Sequence, residues 1–339
     1  MPELTLMKRD ELEKIFEPCE NILHKDVELG GNAKIRFRLT DVEKVQNVPH
    51  ISINGEEYPL TSSALLEAAR TVGVPQAYAN RCPSEMIFPH LEHWFGLGGS
   101  GKARFFLQNN IVIGCTANTP SYHTNMEILD NVEKVLKSEE ILGYHNPSSS
   151  LDHSVFSIIV NRNFEAITGD RLFGGIEVQN SVIGERSIEI APFIFRQVCT
   201  NGMIVSESIG RWSRKGDENF GLWAQSATTG SVQRIEGEFH RIKKLTEVPV
   251  GERADNTLRS LFLKFGIPTR TQKEIVGEAA SMNAGEGPKT MYDIWNSVTR
   301  VATHSPKLSL SSARELRCVA GDLVREVSIC DHCGSLYES

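Results

Sequence analysis

Between Arg211 and Lys244 the chain gathers the side chains best suited to chemistry with a charged polymer. Arg211, Arg214 and Lys215 surround Trp212, and Arg234, Arg241, Lys243 and Lys244 follow within a short distance. Cations neutralise phosphates and an aromatic ring stacks an unpaired base, so this combination points to single-stranded nucleic acid. Lys102 joins the set from a glycine-rich run, GLGGSGKA, spanning Gly96 to Ala103. The run matches part of a phosphate-cradling loop, but Ala103 stands where a magnesium-binding hydroxyl is required. A helix pattern precedes it and a strand pattern follows, the reverse of what nucleotide hydrolysis needs. The run reads as a flexible glycine connection, with backbone contact to DNA or RNA phosphates, Lys102 alongside, as the alternative. Arg196, on a strand that is otherwise apolar, needs a partner and is a further phosphate-binding candidate.

Other residues suggest different chemistry. Cys199 is a candidate nucleophile, with His153 as base and Asn180 as orienter, although no spacing ties the three together. A buried structural cysteine is the plainer expectation, and no catalytic residue is assigned. Cys330 and Cys333 form a C-x-x-C pair beside His332, the shape of half a zinc knuckle. The other half is missing from the sequence, so structural zinc is the one cofactor considered. His90 and His93 stand three apart on a helical pattern, with no third ligand nearby.

The totals set bounds. With 339 residues, 40% hydrophobic and 23% charged, the chain can bury a sizeable core. A formal net charge of -7 excludes a surface that coats nucleic acid all over, while leaving room for a local basic groove. Seven cysteines, an odd number on a long chain, read as reduced thiols. No apolar run approaches the roughly 20 residues of a membrane helix, and the charged start, MPELTLMKRDELEKIFE, is not a secretory signal. A cytoplasmic protein without membrane contact is expected.

The elements that must position these residues predict an α+β fold, a mostly antiparallel β-rich centre with packed helices and a helical carboxy-terminal part. Residues 1–60 read as an acidic leader with short strands, 61–250 as the central domain, 251–328 as helical, and 329–339 as a cysteine-containing tail. Asn54-Gly55 and Asn109-Asn110 mark hairpin turns. Thr61 and Thr124 stand where helix caps belong. Asn180 to Val205 is the centre, a strand apolar on both faces with polar turns at its ends. There Pro192 predicts a bulge or an edge. The strand pattern extends through GMIVSESIGRWSRKG and NFGLWAQSATTG to about Gly230, and four helices follow from Ala254.

Asn180, Ser181 and Gly184, followed by Arg196, Cys199, Thr200, Asn201, Gly202 and Met203, resemble the phage/plasmid-like protein family of unknown function, DUF nine-three-two. TMYDIWNSVTRVATH and GVPQAYANRCP are also similar to segments of that family, and the resemblance runs from about Leu60 to Val327. It implies a phage or other mobile element as origin, and a shared structural or binding role for Asn180, Arg196, Cys199 and Asn201. The order of hairpin, helix and further strands is loosely similar to single-strand annealing proteins, which form rings. The expected function is thus single-stranded nucleic acid binding in annealing or recombination, by a homo-oligomer. The alternative is a phage interaction protein that binds or inhibits a host protein.

Overall fold

The computed structural model describes residues 6–30, 34–42, 45–97, 101–117, 123–138, 140–151, 153–184, 186–196, 201–204, 210–212, 219–325, 327–329 and 336–338. The chain begins with α1 (Arg9–Phe16), β1 (Leu23–Glu28), β2 (Ile35–Val42), β3 (Val45–Ile53) and β4 (Glu56–Pro59). Next come α2 (Ser62–Thr71), α3 (Gln76–Ala79), α4 (Ser84–Leu97), β5 (Lys102–Gln108) and β6 (Ile111–Ala117). The turn chemistry is as the sequence predicts: Asn54 and Gly55 take φ of 54° and 93°, and Asn109 and Asn110 take 51° and 60°. These left-handed values suit asparagine and glycine in tight hairpins. Thr61 caps α2 by accepting from the Ala64 N–H, and Gly73 ends it at φ 80°.

Two three-stranded antiparallel sheets, β2-β3-β4 and β1-β5-β6, enclose a core with α2 to α4. Because β1 pairs with β5, residues on both sides of position 60 share one sheet. Pro89 does not break α4, which runs through it on the exposed side. There the lost backbone hydrogen bond falls to solvent.

The centre follows as α5 (Asn125–Val135), β7 (Ile141–Ser148), β8 (Ser154–Ile167), β9 (Asp170–Asn180), β10 (Ile188–Arg196), β11 (Asn201–Ile204) and β12 (Gly210–Trp212). These strands form one antiparallel sheet in the order β11-β10-β9-β8-β7, with β12 also beside β10. The strand apolar on both faces is indeed covered on both. Ile188 and Ile190 pack with Phe156, Ile176 and Val178 under α1 and α5, while Ala191, Phe193 and Phe195 pack with Phe173 and Ile159 on the other face. Opposite β9, β10 meets β12 at Ile188 to Ile190 and β11 at Phe193 to Arg196. Pro192, which has no N–H for a ladder, falls between the two pairings.

The helices α6 (Phe220–Leu245), α7 (Ala254–Lys264), α8 (Thr269–Gly285), α9 (Met291–His304) and α10 (Leu310–Val324) complete the core, and β13 (Val327–Ile329) pairs with β14 (Leu336–Glu338). NFGLWAQSATTG is helix, against the strand pattern expected for it. Asn219 accepts from the Gly221 and Leu222 N–H groups, and Ala224, Ala227, Ser231, Ile235, Phe239 and Ile242 bury one stripe. That stripe lies on the sheet, and packing outweighs the weak helix propensity of Thr228, Thr229 and Gly230. Among the described residues, no helix is long and apolar enough to cross a membrane.

Candidate functional site

A break in the register of β8 shapes the most developed groove near the basic segment. Ile159 pairs with Gly175 and Asn163 with Phe173, so Val160, Asn161 and Arg162 together face Gly174 alone. Such a bulge bends a strand and re-aims its side chains. Helix α6 fixes its position. A Cβ on Gly174 would lie 2.5 Å from Ile235 Cγ2, so only glycine lets α6 approach this closely. Between bulge and helix lies a groove of about 430 Å³, with Asn161 to Phe164 on one wall and Glu236, Phe239 and His240 on the other.

Phe164 is half-buried in this wall and stacks on Phe239 at 5.6 Å, with planes 19° apart. Lys243 Nζ stands 6.0 Å from the Phe164 ring. Asn161 is held by donating to Glu140 Oε2 at 2.7 Å, and it accepts from Asn163 Nδ2 at 3.2 Å. On α6, Arg234, His240, Arg241, Lys243 and Lys244 are all exposed. Arg241 bonds Glu238 at 2.6 Å. Burial pushes the Glu238 carboxyl above its ordinary range, opposed by the neighbouring arginines. The arrangement offers a ring, amide groups and a row of cations along one helix.

The remaining candidates fall elsewhere. Lys102 lies across from Glu28 in register and pairs with it at 3.0 Å, which raises the lysine above its ordinary value. Arg196 points into the core. Asp170 accepts from its Nε at 2.8 Å and from Nη2 at 2.5 Å, and Tyr292 donates to the same carboxylate at 2.7 Å. This internal pairing weighs against a phosphate contact for Arg196, because its Nε and Nη2 donors are committed to a buried carboxylate. Backbone pairing sets Arg211 opposite Glu189 and Trp212 opposite Ile188, and sets Asn201 and Gly202 opposite Arg196 and Phe195. Arg214, Lys215, Cys199, Cys330 and Cys333 lie outside the described residues. No group of three or more metal-ligating side chains occurs among those described.

The polar motif at Asn180 is a tether. Asn180 Nδ2 donates to Asn125 Oδ1 at 2.9 Å and to the His123 carbonyl at 3.1 Å, tying the start of α5 to the end of β9. Ser181 is buried and Gly184 turns at φ 74°. His153 Nε2 meets Gln179 Oε1 at 3.1 Å in a buried setting, so the base proposed for Cys199 already holds a neighbour within the sheet.

A second polar constellation was not legible in the sequence. On the sheet face opposite α1 and α5, Arg314 and Arg317 of α10 meet Glu177 of β9 at 3.2 and 3.3 Å, and Arg314 reaches Glu189 of β10 at 2.7 Å. Burial pushes the Cys318 thiol up to about 11. It pushes the nearby His145 imidazole down to about 4, helped by the charges of Arg317 and His304. The only signal in the sequence was a pair of carboxylates inside apolar strands, which demand partners without naming them.

His145 gives the fold a pH dependence. Its folded value lies below the ordinary 6.5, so the neutral ring contributes stability in full above pH 6.5, and that contribution fades as pH falls toward 4. The loss should reach on the order of 3 kcal/mol. Urea midpoints measured from pH 7.5 to 4.5 should fall less steeply for His145→Gln than for wild type, and parallel curves would remove His145 as the cause.

Compared with family models, curated proteins and solved structures, the chain gives no significant match to any of them.

Proposed function

We propose that this protein binds single-stranded nucleic acid along the groove between the β8 bulge and α6, as an annealing or recombination accessory of a phage or other mobile element. The observation that carries this reading is a groove that holds Phe164, with the exposed Lys243 beside that ring and Lys244 next to it on α6. Phosphates would follow Lys243 and Lys244, while a base enters the groove against the half-buried ring. The net charge of -7 does not oppose this, since a local pair of cations at Lys243 and Lys244 stands beside the groove.

Fluorescence anisotropy with a labelled oligonucleotide tests it. Affinity should fall steeply with salt, with a slope of roughly 0.7 per phosphate neutralised. Lys243→Glu/Lys244→Glu should weaken binding at least about tenfold at low salt and flatten that slope. Phe164→Leu keeps the packing on Phe239 but removes the stacking face, and should cost about 1–3 kcal/mol of binding. Binding that ignores all three substitutions would place the nucleic acid elsewhere, and no binding at low salt would sink the function itself.

A further inference from the structure

Helix α4 buries Ile87, Phe88, Leu91 and Phe95 in the amino-terminal core. Its opposite side lacks the polar character of an ordinary outer face. Met86 is 54% exposed, Trp94 47% and Leu97 61%, and Tyr78 of α3 is 40% exposed. His90 joins the surface, with Nδ1 3.2 Å from the Tyr78 hydroxyl and the two rings stacked at 6.0 Å. His93 packs edge-on against Trp94 at 5.7 Å. Met86, His90, His93 and Leu97 are spaced four, three and four apart, the narrow seam by which one helix packs against another.

The seam is also its own complement. Met86 and Leu97, Pro89 and Trp94, and His90 and His93 are pairs placed symmetrically about the point between Leu91 and Glu92. Two copies of α4, antiparallel about a two-fold axis at that midpoint, would set each residue against the other member of its pair. A two-fold interface requires this reciprocity. Neither a carboxylate nor a lysine or arginine lies on the seam. Glu92 is turned away, accepting from the Phe37 N–H at 2.7 Å and pairing with Arg36 at 3.1 Å. A nucleic acid would find no cation here, whereas an identical apolar seam meets no unpaired charge.

The area is close to what a dimer needs. Exposures of 40–61% leave roughly 400 Å² on these four side chains, taking residue areas on the order of 150–250 Å². Two copies would remove roughly 800 Å² from water before Pro89 and the histidines are counted, which approaches the ~1,000 Å² of a specific interface. We propose that the exposed face of α4, completed by Tyr78, is the interface of a homodimer of this chain, independent of the groove on α6.

Sedimentation equilibrium of the full chain across micromolar concentrations tests it. Wild type should show a reversible monomer–dimer equilibrium. Leu97→Glu, which buries a carboxylate in each half of the interface, and Trp94→Ala, which removes its largest anchor, should each raise the dimer dissociation constant by about tenfold or more. Both positions are exposed in one copy, so the thermal midpoint measured at dilutions where wild type is monomeric should stay within about a degree or two of wild type. A wild type that remains monomeric throughout overturns the proposal, as does a dimer that survives both substitutions.

Discussion

Glu177→Ala should destabilise the fold by about 3–5 kcal/mol, the cost of stranding a buried charge. Glu177 is 1% exposed and Arg317 3%. Their ion pair at 3.3 Å sits between β9 and α10, and Arg314 binds the same carboxylate at 3.2 Å. Alanine would leave Arg314 its bond to Glu189 but would take away the carboxylate with which Arg317 is paired. A guanidinium left alone in a dry site loses more than the pair ever contributed, because its hydration is gone and its partner with it. Glu177→Leu combined with Arg317→Met should recover much of that loss, since apolar groups of similar volume avoid both desolvation costs. Recovery is favoured because Glu177 Oε2 and Arg317 Nε lack hydrogen-bond partners among the described residues, so the layer is incompletely satisfied. Urea unfolding of the two single variants and the double variant measures the coupling directly. If Glu177→Ala keeps the wild-type midpoint, the layer contributes nothing to the fold.

Asp170→Ala should cost a similar amount, about 3 kcal/mol or more, through a different route. The Asp170 carboxylate is 3% exposed and accepts from both Arg196 and Tyr292, so one side chain joins the start of β9, the end of β10 and α9. Its loss leaves a guanidinium and a phenol to find other partners in an enclosed place. Burial and the adjacent carboxylate hold the Tyr292 hydroxyl well above its ordinary range, so the phenol stays a donor. Arg196→Met in the Asp170→Leu background should restore part of the stability. The same series separates two roles for Arg196. As a core tie, Arg196→Met alone lowers the unfolding midpoint and leaves oligonucleotide affinity unchanged. Lost affinity with an unchanged midpoint would return Arg196 to the phosphate-binding set.

Local chemistry made much of this molecule readable. Asn54-Gly55 and Asn109-Asn110 turn where their tolerance of positive φ predicts, and Thr61 and Thr124 cap α2 and α5 through their own side chains. The strand read as apolar on both faces is covered on both as β10, because successive side chains point to opposite sides by covalent geometry alone. The α+β class and the four helices from Ala254 followed from periodicity in the same way. Helix α6 was not readable over its first turns. Thr228, Thr229 and Gly230 carry weak local preferences there, and the decision rests with a sheet surface far away in sequence. The basic residues 234–244 therefore came out on a helix, with Lys243 on the groove side and Arg234 on the opposite side.

By itself, then, the sequence determined the turns, the caps, the two apolar faces of β10 and the need for a partner at Arg196. Tertiary structure alone decided who the partners are. Arg196 finds Asp170 26 residues away, and Arg314 finds Glu177 137 residues away. Desolvation requires every buried charge to be paired, but it sets no sequence distance for the pair. The groove has the same origin. Its β8 bulge and its helix meet only because Gly174 leaves room for Ile235, and the basic residues gain a ring and a cleft beside them from that contact.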